Sequence, residues 1–126
     1  TKTDAGVIER AYDDAEGVTA AFNLNLLARI NRELGGDFDL GRFRHRALYD
    51  ADEGRVEMHL ESLEAQRVRV GDTVFDFAAG ETIHTENSYK YAIDEFADLA
   101  GRAGYASERV WTDDATRFAI HALRVQ

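Results

Sequence analysis

Cysteine and proline are both absent from this 126-residue chain. Without cysteine there is no disulfide staple, no thiolate nucleophile and no thiolate metal ligand. A reducing, cytoplasmic setting is expected. Without proline, stability has to come from packing and not from restricted loops. Long apolar runs are also missing. Segments such as Phe77-Ala78-Ala79 and Leu26-Leu27-Ala28 fall far short of the roughly 18–20 residues that span a bilayer. No basic-then-apolar signal segment opens the chain. It begins Thr1-Lys2-Thr3-Asp4 with no Met, so a fragment or processed product is expected.

Positive charge is scarce as well: 15 Lys and Arg stand against 24 Asp and Glu, a net charge of −9. A generic nucleic-acid binder needs a basic face to displace counterions from phosphates. Arg42, Arg44 and Arg46 alternate with Phe43 and His45, which reads as the solvated face of a strand. Neither nucleic acid nor membrane is an expected partner. What the chain does have is 44% hydrophobic and 10% aromatic residues, enough for the core of a single ordinary domain.

The spacing of apolar residues predicts an α+β chain. Thr3 and Asp4 are N-cap types ahead of a short helix around Val7–Tyr12. From Glu16 to Leu34, Val18, Phe22, Leu26, Ile30 and Leu34 recur every fourth residue, with Leu27 widening the stripe. That predicts a long amphipathic helix stopped by Gly35-Gly36. Phe38 to Leu48 is ambiguous between helix and extended chain. Arg55–Leu60 alternates as a strand with Val56, Met58 and Leu60 on one face. Gln66–Val70, Gly71-Asp72 and Thr73–Phe77 predict a hairpin. The helix is expected to pack on an antiparallel meander built from these strands. Gly80 to Tyr91 shows no period and reads as a polar loop. A helix capped by Asp94 runs to about Arg102, followed by closing strands at Tyr105–Trp111 and Phe118–Leu123.

Familiar catalytic signatures are missing. No Gly-x-Gly-x-x-Gly follows a strand, and there is no phosphate-cradling loop or Gly-x-Ser-x-Gly elbow. His45, His59, His84 and His121 show no ligand spacing, so no metal is expected. The stretch Glu81 to Tyr91 stands out for its density of hydrogen-bonding side chains. Such a loop on a rigid scaffold often carries binding groups. Ser88 or Asn87 there would equally serve to cap the helix that follows.

Collinear motifs carry a resemblance across nearly the whole chain. They are Tyr12-Asp13-Asp14-Ala15-Glu16-Gly17-Val18-Thr19-Ala20-Ala21-Phe22-Asn23, Ile30-Asn31-Arg32-Glu33-Leu34, Arg55-Val56-Glu57-Met58, Phe77-Ala78-Ala79-Gly80-Glu81, Thr85-Glu86-Asn87-Ser88-Tyr89-Lys90 and Val110-Trp111-Thr112-Asp113. Together they resemble the substrate portion of the histidine-specific, S-adenosylmethionine-dependent methyltransferases that act on the way to ergothioneine. The resemblance implies a two-part enzyme. Residues 1–92 would form the histidine-binding domain. Residues 93–126 would be a helix–strand–strand tail completing the sheet of an α/β methyltransferase domain. S-adenosylmethionine would be bound by that upstream domain, which has no counterpart here, so the chain alone is expected to be inactive.

Residue by residue, the resemblance implies a substrate site of Tyr12, Met58, Glu86 and Ser88. Tyr12 matches a tyrosine that helps hold the α-carboxylate, and Glu86 with Ser88 matches the pair bonded to the two imidazole nitrogens. Met58 matches the methionine that shapes the pocket. The chemistry agrees, because a neutral imidazole carries one N–H and one lone pair. Methyl transfer rests largely on positioning, so none of the four need move a proton. Tyr12 also fits a half-buried boundary position, and Met58 fits plain core packing on an inward strand face. Two other readings stay open. One keeps the family and changes the substrate, for example to tryptophan, although an indole offers one N–H and no acceptor. The other is a stand-alone small-molecule-binding or oligomerisation module, for which dimerisation through the open edges of the last strands is expected.

Overall fold

The computed structural model describes residues 1–126 apart from Thr3, so the capping role expected of Thr3 lies outside the described residues. Helix α1 (Ala5–Tyr12) begins where Asp4 Oδ1 accepts the Val7 N–H at 3.2 Å, satisfying one of the free donors of the first turn. Helix α2 (Val18–Leu34) follows Gly17, whose φ of 73° reverses the chain. Its cap reaches from further back: the Asp14 carboxylate accepts from the backbone N–H groups of Val18 and Thr19, both at 2.9 Å. Gly35, at φ 63°, ends the helix.

The fourfold stripe predicted for α2 is corrected. Asn23 and Leu27 are buried and Ile30 is half-buried, whereas Val18, Phe22 and Leu34 are 64%, 68% and 60% exposed. With 3.6 residues per turn, each step of four advances about 40° around the axis. A run of such steps therefore winds off one face. The face that packs is centred on Leu27, and the two ends of the stripe are left facing outward.

After a 3₁₀ turn (Leu40–Arg42) come strands β1 (Phe43–Asp50) and β2 (Arg55–Ser62), which pair antiparallel. The ambiguous segment therefore resolves as turn then strand. The next hairpin, β3 (Gln66–Val70) and β4 (Thr73–Phe77), has the predicted limits and turns at Gly71. It forms its own two-stranded sheet. The second neighbour of β2 is β5 (Thr82–Tyr89), giving the order β1-β2-β5. The expected simple meander is thus interrupted by an inserted hairpin.

Strand β5 replaces the polar loop expected at Gly80 to Tyr91. Its register explains why no period was visible. Leu60 pairs with Ile83 and His59 with His84, but Met58 pairs with Glu86, so Thr85 is the extra residue of a bulge. Across a bulge the two-residue alternation changes phase. Ile83 before it, and Glu86, Ser88 and Lys90 after it, come to the same side of the sheet. Thr85 Oγ1 donates to Met58 O at 2.9 Å and fixes the bulge.

The inner face of β2 is fully used: Val56, Met58, Leu60 and Ser62 are all buried. Leu27, Phe38, Phe43, Leu60 and Val68 form the core, with Phe77 and Ile83 packed against it. Phe43 meets Phe38 and Phe77 edge-on at 5.6 and 5.5 Å between centroids, a favoured aromatic geometry. The C-terminal tail comprises α3 (Ile93–Arg102), β6 (Tyr105–Thr112) and β7 (Ala119–Val125), the strands pairing, among the described residues, with each other alone. Asp94 lies inside α3. The helix starts instead at Ala92, whose N–H is bonded by Glu95 at 2.8 Å. No helix among the described residues is long and apolar enough to cross a membrane.

Leu27→Ala should reduce unfolding free energy by about 2–5 kcal/mol, the range for emptying a packed leucine site. Leu34→Ala should stay within about 0.5 kcal/mol, as exposed substitutions do. Urea denaturation of the two variants checks this, and equal losses would contradict the packed face assigned to α2.

Candidate functional site

Glu86 and Ser88 share the inner side of β5 with Met58 beside Glu86 on β2, and Tyr12 reaches Ser88, whereas the cleft at Glu86 is lined by none of the other three. Glu86 is opposite Met58 and Ser88 is opposite Val56 on β2. Tyr12, the last residue of α1, lies across them with its Oη 2.8 Å from Ser88 Oγ. Met58 is buried below, at 3% exposure. Glu86 is exposed and lines an open cleft of about 240 Å³ with Phe22, Asn23, Leu26 and Thr85. Phe22 is the aromatic wall of that cleft, and was foreseen only as part of the helix stripe.

Lys90 is the residue at this site whose part the sequence did not reveal. Its Nζ donates to Tyr12 Oη at 2.5 Å and to Ser88 Oγ at 2.8 Å. It also stands 4.5 Å from the centroid of the Tyr12 ring, within cation–π range. Ammonium and the two hydroxyls close a triangle. Burial by itself would push the Tyr12 hydroxyl pKa up. The hydrogen bonds from Lys90 and Ser88 and the Lys90 charge outweigh it, and the net shift is downward. Alternation from Glu86 through Ser88 to Lys90 was the available signal, hidden by the bulge.

A second polar layer fixes Tyr12 from below. His45 Nε2 is 2.7 Å from Tyr12 O, and His45 Nδ1 is 3.0 Å from Asn23 Nδ2. A carbonyl only accepts and an amide NH₂ only donates, so Nε2 carries the hydrogen and Nδ1 receives one. Asn23, 4% exposed, also donates to His59 O at 3.2 Å. One buried amide thereby ties α2 to β1 and β2 beneath the site.

The outer face of the sheet is different in kind. Arg44 grips Glu61 with bonds of 2.9 to 3.2 Å, and Arg46 approaches the same carboxylate at 3.8 Å. The alternating arginines are therefore engaged by acid. His59 and His84, which showed no spacing in the sequence, meet across β2 and β5 with rings stacked 4.4 Å apart. Glu57 lies 2.9 Å from His59 Nε2 and 4.0 Å from His84 Nε2. Arg55, bound to Glu57 at 2.7 and 2.9 Å, and then His59 hold its carboxyl below the usual range. One ligand-type atom from each of Glu57, His59 and His84 lies within 4.8 Å of the other two, a grouping that could hold a cation and that the sequence spacing did not suggest. The three groups lie together on the outer face beside the bulge.

An acid and a hydroxyl two residues apart thus share one face of the sheet with a buried thioether, and the acid borders an open cleft. The chain belongs to the family of histidine-specific, SAM-dependent methyltransferases, whose profile matches residues 1–125. It is 49% identical over 119 residues to a histidine N-alpha-methyltransferase of Mycolicibacterium smegmatis, and 47% identical over 119 residues to that of Mycobacterium tuberculosis. In both cases 93% of this chain is covered and 37% of the relative. Ergothioneine biosynthesis protein 1 of Schizosaccharomyces pombe is 30% identical over 105 residues, covering 82% of this chain and 14% of that protein. The chain thus spans little more than a third of the length of the bacterial relatives it matches.

Asn23→Ala should cost about 1–3 kcal/mol, because His45 Nδ1 and His59 O would be left buried without their partner. Thermal or urea unfolding reads this loss. A cost indistinguishable from zero would contradict the anchoring role.

Proposed function

We propose that this chain is the amino-acid-recognising part of an S-adenosylmethionine-dependent N-methyltransferase that acts on the α-amino group of L-histidine. The observation that carries this reading is the placement of Glu86 and Ser88 on one inner strand face, with buried Met58 beside Glu86 on the neighbouring strand. Alternate residues of a strand stand about 6.8 Å apart. A planar five-membered ring can lie between them with a hydrogen bond at each edge. The Glu86 carboxylate accepts the ring N–H, and the Ser88 hydroxyl serves the other nitrogen. Met58 gives the ring a flexible, polarizable floor, and Tyr12 contributes to holding the α-carboxylate.

A site that pairs both nitrogens of a ring discriminates strongly against analogues lacking one of them, since a buried group is then left unpaired. Indole has no acceptor for the Ser88 hydroxyl. This favours histidine over tryptophan, and a polar amino-acid pocket supports an enzyme over a stand-alone module.

The methyl donor belongs outside these residues. Among the described residues all strand pairs are antiparallel, and no glycine-rich turn leads from a strand into a helix as a nucleotide-type donor site requires. Residues 1–92 are then the substrate domain and 93–126 a tail that completes the donor domain's sheet. Support comes from the tail's surface: Trp111, Phe118, Ile120 and Val125 are 44 to 73% exposed, an apolar density that isolated surfaces avoid. The outward ends of α2, at Val18, Phe22 and Leu34, would be covered in the same way. Where the donor domain is lacking, the edges of β6 and β7 are free to pair between two copies. The cysteine-free composition suits a cytoplasmic enzyme.

In the full-length protein, Glu86→Ala should weaken histidine binding tenfold or more, since a hydrogen bond to a charged group contributes about 1.5–3 kcal/mol. Binding of S-adenosylmethionine should change less than about twofold, because Glu86 lies away from the donor. Calorimetric titration of each ligand separates the two, and equal losses would assign Glu86 a structural role.

A further inference from the structure

The outer face of the sheet carries a cluster that the amino-acid site does not use. Residues of β2 and β5 meet there in two neighbouring rows, His59 paired with His84 and Glu57 paired with Asn87. Along β2, Glu57 and His59 alternate with buried Val56, Met58 and Leu60, so they stand on the side opposite the pocket. In an unbroken strand His84 and Asn87, three positions apart, would face opposite ways. The extra residue at Thr85 shifts the phase and brings both outward. The bulge that turns Glu86 and Ser88 inward therefore also assembles four donor side chains outside.

Two imidazole nitrogens of the cluster already point at oxygens. His59 Nε2 is 2.9 Å from Glu57 Oε2, and His84 Nε2 is 2.6 Å from Asn87 Oδ1. A carboxylate and an amide carbonyl only accept, so each Nε2 presents its ring hydrogen to an oxygen. The two pairs adjoin, since His84 Nε2 is also 4.0 Å from Glu57 Oε2. A tetrahedral zinc-type ion with bonds of about 2.0–2.1 Å spaces its donors about 3.3 Å apart. The observed separations of 2.9 and 4.0 Å from Glu57 Oε2 bracket that value. The adjustment that closes the set falls on His84, which is exposed and lies on the outer strand of the order β1-β2-β5. Its ring has to turn out of the stack so that its lone pair meets that of His59.

The charges around the cluster select the kind of ion. Arg55 donates to Glu57 through Oε1 alone, at 2.7 and 2.9 Å, which leaves Oε2 to the cluster. Arg44 and Arg46 are engaged by Glu61. One carboxylate with an arginine beside it does not supply the several oxygen ligands that calcium takes. Two imidazoles and one carboxylate are instead a ligand set for a borderline first-row ion. As such an ion binds, each neutral ring moves its hydrogen from Nε2 to Nδ1 and gives the Nε2 lone pair to the metal, with no net proton released. His59 Nδ1 is buried with no hydrogen-bond partner among the described residues, so that shift gives up no bond there.

We propose that Glu57, His59 and His84 bind a divalent transition-metal ion of the zinc type, with the Asn87 amide oxygen as fourth donor, and that the ion cross-links β2 to β5 over the bulge. Neither the substrate reading nor the donor domain enters this inference, which goes beyond both. Histidines far apart in sequence become one ligand set only through the bulged strand pair, and the ion fixes the register on which the inner face depends.

The test is calorimetric titration of Zn²⁺ into the full-length protein, stripped by a chelator and free of any affinity tag, with Mg²⁺ titrated in parallel. The pH is held at about 7.5, because metal affinity depends on it. One equivalent of Zn²⁺ should bind the wild type with micromolar affinity or better, and Mg²⁺ should bind far more weakly. His84→Ala, a substitution at an exposed position, and Glu57→Gln should each weaken Zn²⁺ about tenfold or more, since even the partners of metal ligands contribute that much. Saturating Zn²⁺ should also raise the Tm of the wild type and leave that of His84→Ala unchanged. No Zn²⁺ binding by the wild type would overturn the proposal, as would Zn²⁺ affinity unchanged in both variants. Mg²⁺ bound as tightly as Zn²⁺ would overturn the imidazole ligand set.

Discussion

The pairing of β5 with β2 is the constraint on which the candidate site depends. Below the bulge, Ile83 faces inward and joins the core with Leu60 and Leu27. Were the alternation to continue unbroken, Thr85, Asn87 and Tyr89 would follow it inward. The single extra residue at Thr85 changes the phase, and Glu86, Ser88 and Lys90 turn inward in their place. One-residue register changes move a whole set of side chains to the other face. Here the change lets one eight-residue strand bury an apolar residue at its start and present an acid and a hydroxyl toward its end, with the Lys90 ammonium just beyond it.

Rigidity around that bulge comes from both sides of the sheet. Beneath it, Asn23 ties α2 to His45 and to the backbone of His59, and His45 in turn holds Tyr12. Outside it, the stacked His59 and His84 rings and the Arg55–Glu57 pair cover the same turn of backbone. Preorganisation of this kind is what a positioning site requires, since reaching the bound geometry then costs little further ordering. Of the apolar surfaces left open, Phe22 borders the cleft, and others lie at Val18 and Leu34 of α2 and on the terminal hairpin.

The amino-acid sequence made some of this readable and concealed the rest for physical reasons. Local signals were sufficient for the hairpin about Gly71-Asp72, where turn chemistry and alternation agree, and for α2 as an element. They misled on which face of α2 packs, because a fourfold repeat drifts around a helix and Asn23, a polar residue, occupies the buried side. Strand β5 was invisible as a strand because its polar residues follow two phases of one alternation. His59 and His84 are 25 positions apart in sequence yet neighbours across a strand pair, a relation no linear spacing reveals. Tyr12, Met58, Glu86 and Ser88 were named from a family resemblance; the Tyr12–Ser88 bond, the pairing of Glu86 with Met58 and the part of Lys90 come from the fold.

The central claim is that the inner face of β5 holds the amino-acid ring. A crystal structure of the full-length protein with histidine and S-adenosylhomocysteine tests it most directly. The imidazole should lie beside Met58, one nitrogen within hydrogen-bond distance of Glu86 and the other of Ser88, with Lys90 still bonded to Ser88. A histidine bound elsewhere, or bound with its carboxylate where the ring should lie, would contradict it.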